Sequence, residues 1–230
     1  MRRVAIIPAR GGSKRLPRKN IIDFFGKPII AWTIEAAKQS NLFDAVIVST
    51  EDDEIKDIAR KYGAEIDDRS QELATDDARV LDVCVDLLNR ENMKDIDILC
   101  VLYATAPLRS AQDIQKTVEL LSRETCDFAL ACTTYDLPVH QALKVNDNAD
   151  VCPMWPELIE ERSSDIGTVV VDNGSTYAVS VPAFLNEKTF YGSNLKAHIM
   201  PREFSQDIDE EQDLELAKFY AQKFGLGHKS

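Results

Sequence analysis

The sequence lacks the patterns that mark several common protein classes. Its five cysteines form no Cys-x-x-Cys pair, and four of them lie in apolar stretches, where a small buried thiol is the usual explanation. The apolar run at residues 4–9 is far too short to cross a bilayer, and it lacks the features of a signal peptide. These absences predict reduced, structural cysteines and a cytoplasmic protein without a membrane segment.

Positive charge is outnumbered by negative charge in the chain as a whole, but it is concentrated in one place. The 230-residue chain has a formal net charge of −12, which argues against a general nucleic-acid binder, because binding a polyanion requires a basic face. Between Arg2 and Lys27, however, eight basic residues stand against one acid, Asp23. A basic segment within an acidic chain indicates a small anionic ligand.

The glycine motifs of the common nucleotide-binding classes are missing. The loop at residues 10–20, RGGSKRLPRKN, matches neither GxxxxGK[ST] nor GxGxxG, so a P-loop NTPase and a dinucleotide oxidoreductase both lack their signature. The loop still suits phosphate, because its two glycines let backbone N–H groups approach an anion that a hydroxyl, arginines and lysines can surround. The alternative is a solvated basic surface loop, and the position after the first strand favours the phosphate interpretation.

The sequence does contain a regular alternation of buried strands and amphipathic helices. The predicted strands are residues 4–8, 45–50, 64–67, 98–104, 175–180 and 196–200, and the predicted helices are residues 28–37, 53–62, 77–89, 114–123 and 211–224. This alternation predicts one α/β domain over residues 1–230 with a doubly wound, mostly parallel sheet. Ligands of such sheets bind beyond the carboxyl ends of the strands.

Two segments stand apart from this alternation. The periodicity weakens between Pro138 and Gly174, which indicates an excursion from the core. Asp207 and Asp209 alternate around one apolar residue, so in an extended segment both would project to one face and could chelate a hard cation. By itself the pair favours another explanation, in which the acids stabilise the N-terminus of the last helix.

The order of the motifs closely resembles the acylneuraminate cytidylyltransferase family, which includes CMP-sialic acid synthetases and pseudaminic acid cytidylyltransferases. The motifs are IPARGGSKRLPRKN at residues 7–20, FGKP at 25–28, VIVST at 46–50, YGA at 62–64, ELA at 72–74, TAPLR at 105–109, NGSTY at 173–177 and QDID at 206–209, followed by Asp213 and Leu214. The first motif is highly specific, and the set covers nearly the whole chain. The resemblance implies a Rossmann-like nucleotidyltransferase fold and a CTP-dependent transfer reaction.

The resemblance also implies roles for individual residues. Those that would hold the phosphates, ribose and base of CTP are Arg10, Gly11, Gly12, Ser13, Lys14, Lys19, Asn20 and Arg69. Lys19 would lie nearest the α-phosphate and would be catalytic together with Arg10 and Asp209. Asp207 and Asp209 would hold Mg²⁺. Arg109 matches a family arginine that is equally suited to be a structural brace.

On the sugar side the chain departs from the neuraminate pattern. Residues 103–109 read YATAPLR, whereas family members that act on N-acetylneuraminate typically carry QPTSPLR. Tyr103 followed by small residues resembles the pseudaminic acid branch, whereas NGS at residues 173–175 resembles the neuraminate and legionaminate branch. The residues expected at the sugar are Tyr103, Arg162 and His140, although a lone histidine is more often structural.

The implied reaction is attack of the sugar's anomeric hydroxyl on the α-phosphorus of CTP, which expels pyrophosphate. The implied partners are CTP, a nine-carbon acidic sugar and a second copy of the chain, because residues 135–172 would correspond to the family's dimerisation excursion. One alternative is a cytidylyltransferase for legionaminate or an eight-carbon keto acid. Another is a non-catalytic nucleotide-binding domain, against which the joint presence of Lys19, Asp207 and Asp209 argues.

Overall fold

The computed structural model describes residues 1–121 and 125–226, and its centre is a seven-stranded sheet with helices on both faces. The strands are β1 (Arg2–Pro8), β2 (Asp23–Phe24), β3 (Lys27–Pro28), β4 (Ala45–Thr50), β5 (Glu65–Asp68), β6 (Ile96–Leu102), β7 (Phe128–Thr134), β8 (Leu143–Val145), β9 (Val151–Pro153), β10 (Val170–Ser180) and β11 (Leu195–Ile199). The helices are α1 (Ile29–Gln39), α2 (Asp53–Lys61), α3 (Val80–Leu88), α4 (Ala111–Glu119), α5 (Ser163–Ile166), α6 (Val181–Glu187) and α7 (Glu211–Lys223).

The strand β1 lies at the middle of the sheet and pairs in parallel with β4 and β6. Its residues from Val4 to Ile7 are fully buried, because helices cover both faces of the sheet. On one face the core includes Ile34 of α1 and Ile114 of α4, and on the other it includes Leu87 of α3 and Phe184 of α6. The predicted doubly wound α/β fold is therefore confirmed.

The order of the large sheet is β11-β7-β10-β6-β1-β4-β5, and every pairing in it is parallel except those of β10. This strand runs antiparallel between β6 and β7. The prediction of a mostly parallel sheet is thus correct. The sequence patterns above do not identify β7 as a strand, although it is almost fully buried.

Most predicted elements are present with small shifts at their ends. The strand predicted at residues 175–180 is only the second half of β10, which begins at Val170. A shift in its register against β7 separates Asp172 from Tyr177. The helix predicted at residues 114–123 ends at Glu119, and the last two residues of that prediction lie outside the described residues.

Residues 135–172 contain short elements, as their weak periodicity suggests. The strands β8 and β9 form an antiparallel hairpin, which α5 follows. Several of the large apolar side chains here are exposed, namely Leu137, Leu143, Val145, Val151 and Met154. The residues Val170–Asp172 belong to β10 and pair with β7, so the irregular part of this range ends shortly before them.

The structure also bears on membrane insertion. Among the described residues, no helix is both long and apolar enough to cross a membrane. The longest, α7, has 13 residues and carries charge along its length, whereas a spanning helix needs about 20 apolar residues.

Candidate active site

Most of the residues predicted to bind the nucleotide lie together at the carboxyl ends of the parallel strands. The loop at residues 10–20 follows β1, Glu51 follows β4, and Tyr103 follows β6. Two cavities of about 240 and 230 Å³ open there, and Arg10, Lys19 and Asp76 line both of them. A larger cavity of about 570 Å³ lies at the opposite edge of the sheet, beside Arg3 and Ile98, and none of the predicted site residues lines it.

The glycine loop is held by acids that follow β4. The amide of Gly11 donates a hydrogen bond to Oε1 of Glu51 at 2.7 Å. A Cβ atom at Gly11 would overlap the carboxylate of Asp52, so no other residue fits without a shift of that side chain. Arg18 has a left-handed backbone (φ 58) and donates to Asp52 at 2.5 Å, which lowers the pKa of the Asp52 carboxyl against the opposing effect of burial.

The basic side chains of the loop are neutralised in pairs by two carboxylates. Lys19 and Arg15 donate to the two oxygens of Asp209, each at 2.5 Å. Arg10 donates to Asp76 at 2.6 Å, and Lys14 pairs with the other oxygen of Asp76. These four cations thus line one cavity, with their charge balanced by the two carboxylates.

Neutral donors complete the same surface. Gly12 has open space on its Cβ side, and the hydroxyl of Ser13 is buried without a hydrogen-bond partner beside the 240 Å³ cavity. Asn20 is buried and donates to the carbonyl of Arg10 at 2.9 Å, so it connects the two ends of the loop. A buried hydroxyl that lacks a partner is suited to a ligand oxygen.

Arg69 and Arg109 are both buried, but only Arg69 lines a cavity of the site. Arg69 donates to Oγ of Ser49 at 3.1 Å and to its carbonyl at 2.6 Å, and burial lowers the pKa of its guanidinium. Arg109 donates to the carbonyl of Ser175 at 2.7 Å, and burial lowers its pKa to about 10. It also donates to the carbonyl of Tyr103, so its contacts join the end of β6 to the interior of β10, which is the geometry of a structural brace.

Asp207 is fixed from two sides. Its Oδ1 accepts a hydrogen bond from the hydroxyl of Thr105 at 2.5 Å, and the amide of Ile208 donates to the carbonyl of Thr105 at 2.9 Å. Gly174 has φ +66, and a Cβ atom there would lie 2.8 Å from Oδ2 of Asp207. Burial raises the pKa of the Asp207 carboxyl, and the charge of Asp209 acts in the same direction.

Asp209 has the opposite electrostatic environment. Burial would raise the pKa of its carboxyl, but the hydrogen bond and charge of Lys19, together with Arg15, outweigh burial and lower it. Its side chain does not cap α7. The cap is made by Asp213, whose Oδ2 accepts from the amides of Asp209 and Glu210 at 3.0 Å each, in a capping box with Glu210.

The three residues expected at the sugar are not brought together within one chain. Tyr103 lines the 230 Å³ cavity with Lys19, and burial raises the pKa of its phenol. His140 is buried and lines a different cavity of about 270 Å³ formed by residues 134–169, where its Nε2 atom has no hydrogen-bond partner. Arg162 is exposed beside α5 and lines none of the cavities described here.

Comparison with known proteins decides the family. A sequence profile described as cytidylyltransferase matches residues 4–224. The chain belongs to the cytidylyltransferase family. It is 38% identical to a pseudaminic acid cytidylyltransferase of Campylobacter jejuni, over 100% of this chain and 99% of the relative. It is 33% identical to an N-acylneuraminate cytidylyltransferase of Escherichia coli, over 96% of this chain and 52% of the relative.

A solved structure confirms the fold of this cytidylyltransferase. A CMP-2-keto-3-deoxy-manno-octonic acid synthetase in complex with CTP superposes with a TM-score of 0.74 at 20% sequence identity. The match covers 97% of this chain and 100% of the synthetase. The family resemblance and the nucleotidyltransferase fold expected from the sequence are therefore confirmed.

The acids of this cytidylyltransferase fit a magnesium ion that is shared with a ligand. Among residues 1–121 and 125–226, no group of three or more His, Cys, Asp or Glu side chains could enclose a metal. Mg²⁺ usually binds one or two carboxylates and takes its remaining oxygens from phosphates and water. Asp207 and Asp209 supply that number, and the glycine at position 174 leaves the space beside Asp207 that a side chain would occupy.

Sequence reasoning missed three residues of the site. Glu51 and Thr105 lie inside or next to recognised motifs, but their roles depend on contacts with Gly11 and Asp207, which are distant in the chain. Asp76 lies in the run ATDDA, which carried no sign of an ion pair with the glycine loop. The excess basic charge of residues 10–19 is a signal that could have found Asp76, because it indicates acidic partners elsewhere in the chain.

Proposed function

We propose that this cytidylyltransferase transfers CMP from CTP to a nonulosonic acid and releases pyrophosphate. The observation that carries the proposal is one cavity in which Arg10, Lys14 and Lys19 of the glycine loop face Asp209, with Asp207 beside it. Cations of this kind bind polyphosphate, and carboxylates of this kind bind a divalent cation.

The residues of the site would act by positioning and by charge neutralisation. Arg10, Lys14 and Lys19 would bind the triphosphate, and backbone amides of the glycine loop with the Ser13 hydroxyl would donate to its oxygens. The anomeric hydroxyl of the sugar attacks the α-phosphorus, the bond to the β-phosphate oxygen breaks, and pyrophosphate leaves. Lys19 would neutralise the charge that develops on the α-phosphate. Mg²⁺, held by Asp207 and Asp209, would supply further charge neutralisation at the phosphates.

For the sugar, we propose a member of the pseudaminic acid class. The full-length similarity to a pseudaminic acid cytidylyltransferase supports this choice, as does Tyr103, which stands where neuraminate enzymes typically carry glutamine. Tyr103 lines the cavity beside Lys19, so a sugar that reaches the α-phosphate would contact its ring. His140 and Arg162 stay candidates for the sugar contact.

A pyrophosphate-release assay tests the nucleotide and the sugar together. CTP, UTP, ATP and GTP are each offered with pseudaminate, N-acetylneuraminate, legionaminate and the eight-carbon keto acid. We expect release only with CTP and fastest with pseudaminate. Preference for another nucleotide would contradict the proposed transfer, and preference for another sugar would contradict only the choice of acceptor.

We also propose that the enzyme is a cytoplasmic homodimer. The hairpin β8–β9 is two-stranded and carries exposed Leu143, Val145 and Val151, and an isolated two-stranded hairpin is marginally stable in water. A second copy of the chain packed on this apolar surface would stabilise the hairpin. A cytosolic location fits the supply of CTP.

A further inference from the structure

Carboxylates from distant parts of the chain pair with the cations of the glycine loop. Four of its cations, Arg10, Lys14, Arg15 and Lys19, are divided between the two carboxylates Asp76 and Asp209. A triphosphate that binds to these cations must replace both carboxylates as their partner, because the same donors cannot serve two anions fully. Each carboxylate therefore competes with the ligand unless it finds another role.

The two carboxylates differ in what they can do after displacement. Asp209 lies beside Asp207 and can turn to a divalent cation that arrives with the nucleotide. In the described part of the chain, the ion-pair partners of Asp76 are the loop cations Arg10 and Lys14, and Asp207 lines neither of the two cavities that Asp76 lines. A divalent cation held by Asp207 and Asp209 would therefore not stop Asp76 from competing with phosphate for Arg10 and Lys14.

Asp76 also lies where it can move without loss of secondary structure. It follows the short 3-10 helix Gln71–Ala74 and precedes α3, and residues 75–78 form no backbone hydrogen bond within the described part of the chain. Its side chain is 40% exposed. The ion pairs to Arg10 and Lys14 can thus break while the flanking helices stay intact.

We propose that Asp76 is an internal anion that occupies the place of the leaving phosphates on Arg10 and Lys14 and so weakens the binding of pyrophosphate. The proposal rests on the proposed function. Because Lys19 is assigned to the α-phosphate, Arg10 and Lys14, the two cations that Asp76 holds, are the ones expected to bind the β- and γ-phosphates. When the bond to the α-phosphorus has broken, Asp76 returns to these two cations and pyrophosphate leaves.

This role predicts different effects on different ligands. CTP and pyrophosphate must displace Asp76, because both carry the phosphates that Arg10 and Lys14 would bind. CMP lacks those phosphates and would leave the ion pairs of Asp76 with Arg10 and Lys14 intact. Replacement of Asp76 by a neutral residue should therefore tighten CTP and pyrophosphate and leave CMP unchanged.

The opposite role for Asp76, preorganisation of the two cations, makes the opposite prediction. If Asp76 served mainly to hold Arg10 and Lys14 in the orientation that phosphate needs, its loss would cost affinity, since the two long side chains would become disordered in the free enzyme. The sign of the change in affinity therefore separates competition from preorganisation.

The test is calorimetric titration of the full-length wild type, Asp76→Asn and Asp77→Asn with CTP, inorganic pyrophosphate and CMP at fixed MgCl₂. Asp77 is the matched control, because it is the adjacent exposed aspartate and forms no ion pair within the described part of the chain. For Asp76→Asn we expect about threefold to tenfold tighter binding of CTP and pyrophosphate, the range of one or two exposed ion pairs. Pyrophosphate should become a correspondingly stronger product inhibitor.

Equal or weaker binding of pyrophosphate by Asp76→Asn would overturn the proposal, and so would the same gain in Asp77→Asn or for CMP. Asp76→Ser serves as a second variant, and a thermal melt checks that each protein is folded. A wild type that binds pyrophosphate but not CTP would contradict the proposed function alone. In that case tighter pyrophosphate binding by Asp76→Asn would still support competition by Asp76.

Discussion

Two aspartates separated by one residue carry out different tasks in this site. Asp207 is held by the Thr105 hydroxyl, and burial raises the pKa of its carboxyl. Asp209 faces Lys19 and Arg15, which lower the pKa of its carboxyl despite burial. One acid is thus fixed in place by neutral groups, and the other is kept ionised by cations that the nucleotide would take over.

At the residue scale, Asp209→Ala and Asp213→Ala separate catalysis from capping. We expect Asp209→Ala to lose turnover by on the order of a hundredfold or more, because the charge partner of Lys19 and the proposed metal ligand is removed. It should unfold at nearly the wild-type temperature. Asp213→Ala should keep most of its turnover and lose about 1 kcal/mol of stability, because Asp213 caps α7.

The measurements are the CTP-dependent rate and the thermal midpoint of both variants. A stable Asp209→Ala protein with the wild-type rate would remove this residue from the metal site. Reduced turnover in Asp213→Ala with unchanged stability would show instead that Asp213 contributes to the site and not to the stability of α7.

The residues that sequence analysis found are those within one continuous motif. The loop at residues 10–20 brings its own cations and glycines, so it could be recognised without any knowledge of the fold. Asp76 and Thr105 could not be assigned a role in this way, since each acts on a residue far away in the chain. His140 lines a different cavity from Tyr103 within one chain, and the sequence could not show this separation, because proximity across the fold has no local signal.

At the element scale, the N-terminus of α4 makes a prediction about pH. Asp113 and Ser110 form a capping box, and His198 of β11 contacts Asp113 at 3.0 Å. Burial would raise the pKa of the Asp113 carboxyl, but the hydrogen bonds from Ser110 and His198 outweigh it and lower the pKa. Because the folded pKa lies below the unfolded value of about 3.9, this carboxylate stabilises the fold above that pH and loses its contribution as the pH falls through the folded pKa.

We therefore expect Asp113→Ala to cost about 1–2 kcal/mol in urea unfolding at pH 7. The difference from the wild type should shrink steadily below about pH 3.9. Asp57→Ala is the control, because Asp57 is an exposed helix acid with an (i, i+3) ion pair to Arg60 and should cost at most about 0.5 kcal/mol. A difference that stays constant with pH would show that the carboxylate charge plays no part.

The elements themselves were predicted where the periodicity is local. The strands β1 and β4 and the helices α2 and α7 were found because apolar runs or helical spacing determine them. The strand β7 was missed, although its apolar run follows the predicted helix at residues 114–123 and fits the same alternation of helix and strand. The antiparallel direction of β10 could not be read from the chain, because it depends on neighbours that sequence periodicity does not encode.

At the scale of the whole molecule, the proposed homodimer can be tested on its apolar hairpin. Val145 is 69% exposed on β8, and Phe219 is 58% exposed on α7. Light scattering of the wild type at micromolar concentration should give twice the chain mass. Val145→Glu should raise the dimer dissociation constant by at least about tenfold, because a charge would be buried in the contact.

Phe219→Glu is the control for this experiment, and we expect it to leave the dimer intact. A wild type that scatters as a monomer would contradict the homodimer. A monomeric Phe219→Glu protein beside a dimeric Val145→Glu protein would place the contact on α7 instead.

The position of β10 between β6 and β7 also has a consequence for synthesis of the protein on the ribosome. The strands β1, β4, β5 and β6 all lie within residues 2–102, so a sheet of four can close early. The strand β7 then emerges without a neighbour, because both of its partners, β10 and β11, come later in the chain. At roughly 5–20 residues per second, its apolar run waits for seconds in the nascent chain. Chains that stall or terminate in that interval expose a strand with two open edges, which makes them the natural clients of chaperones.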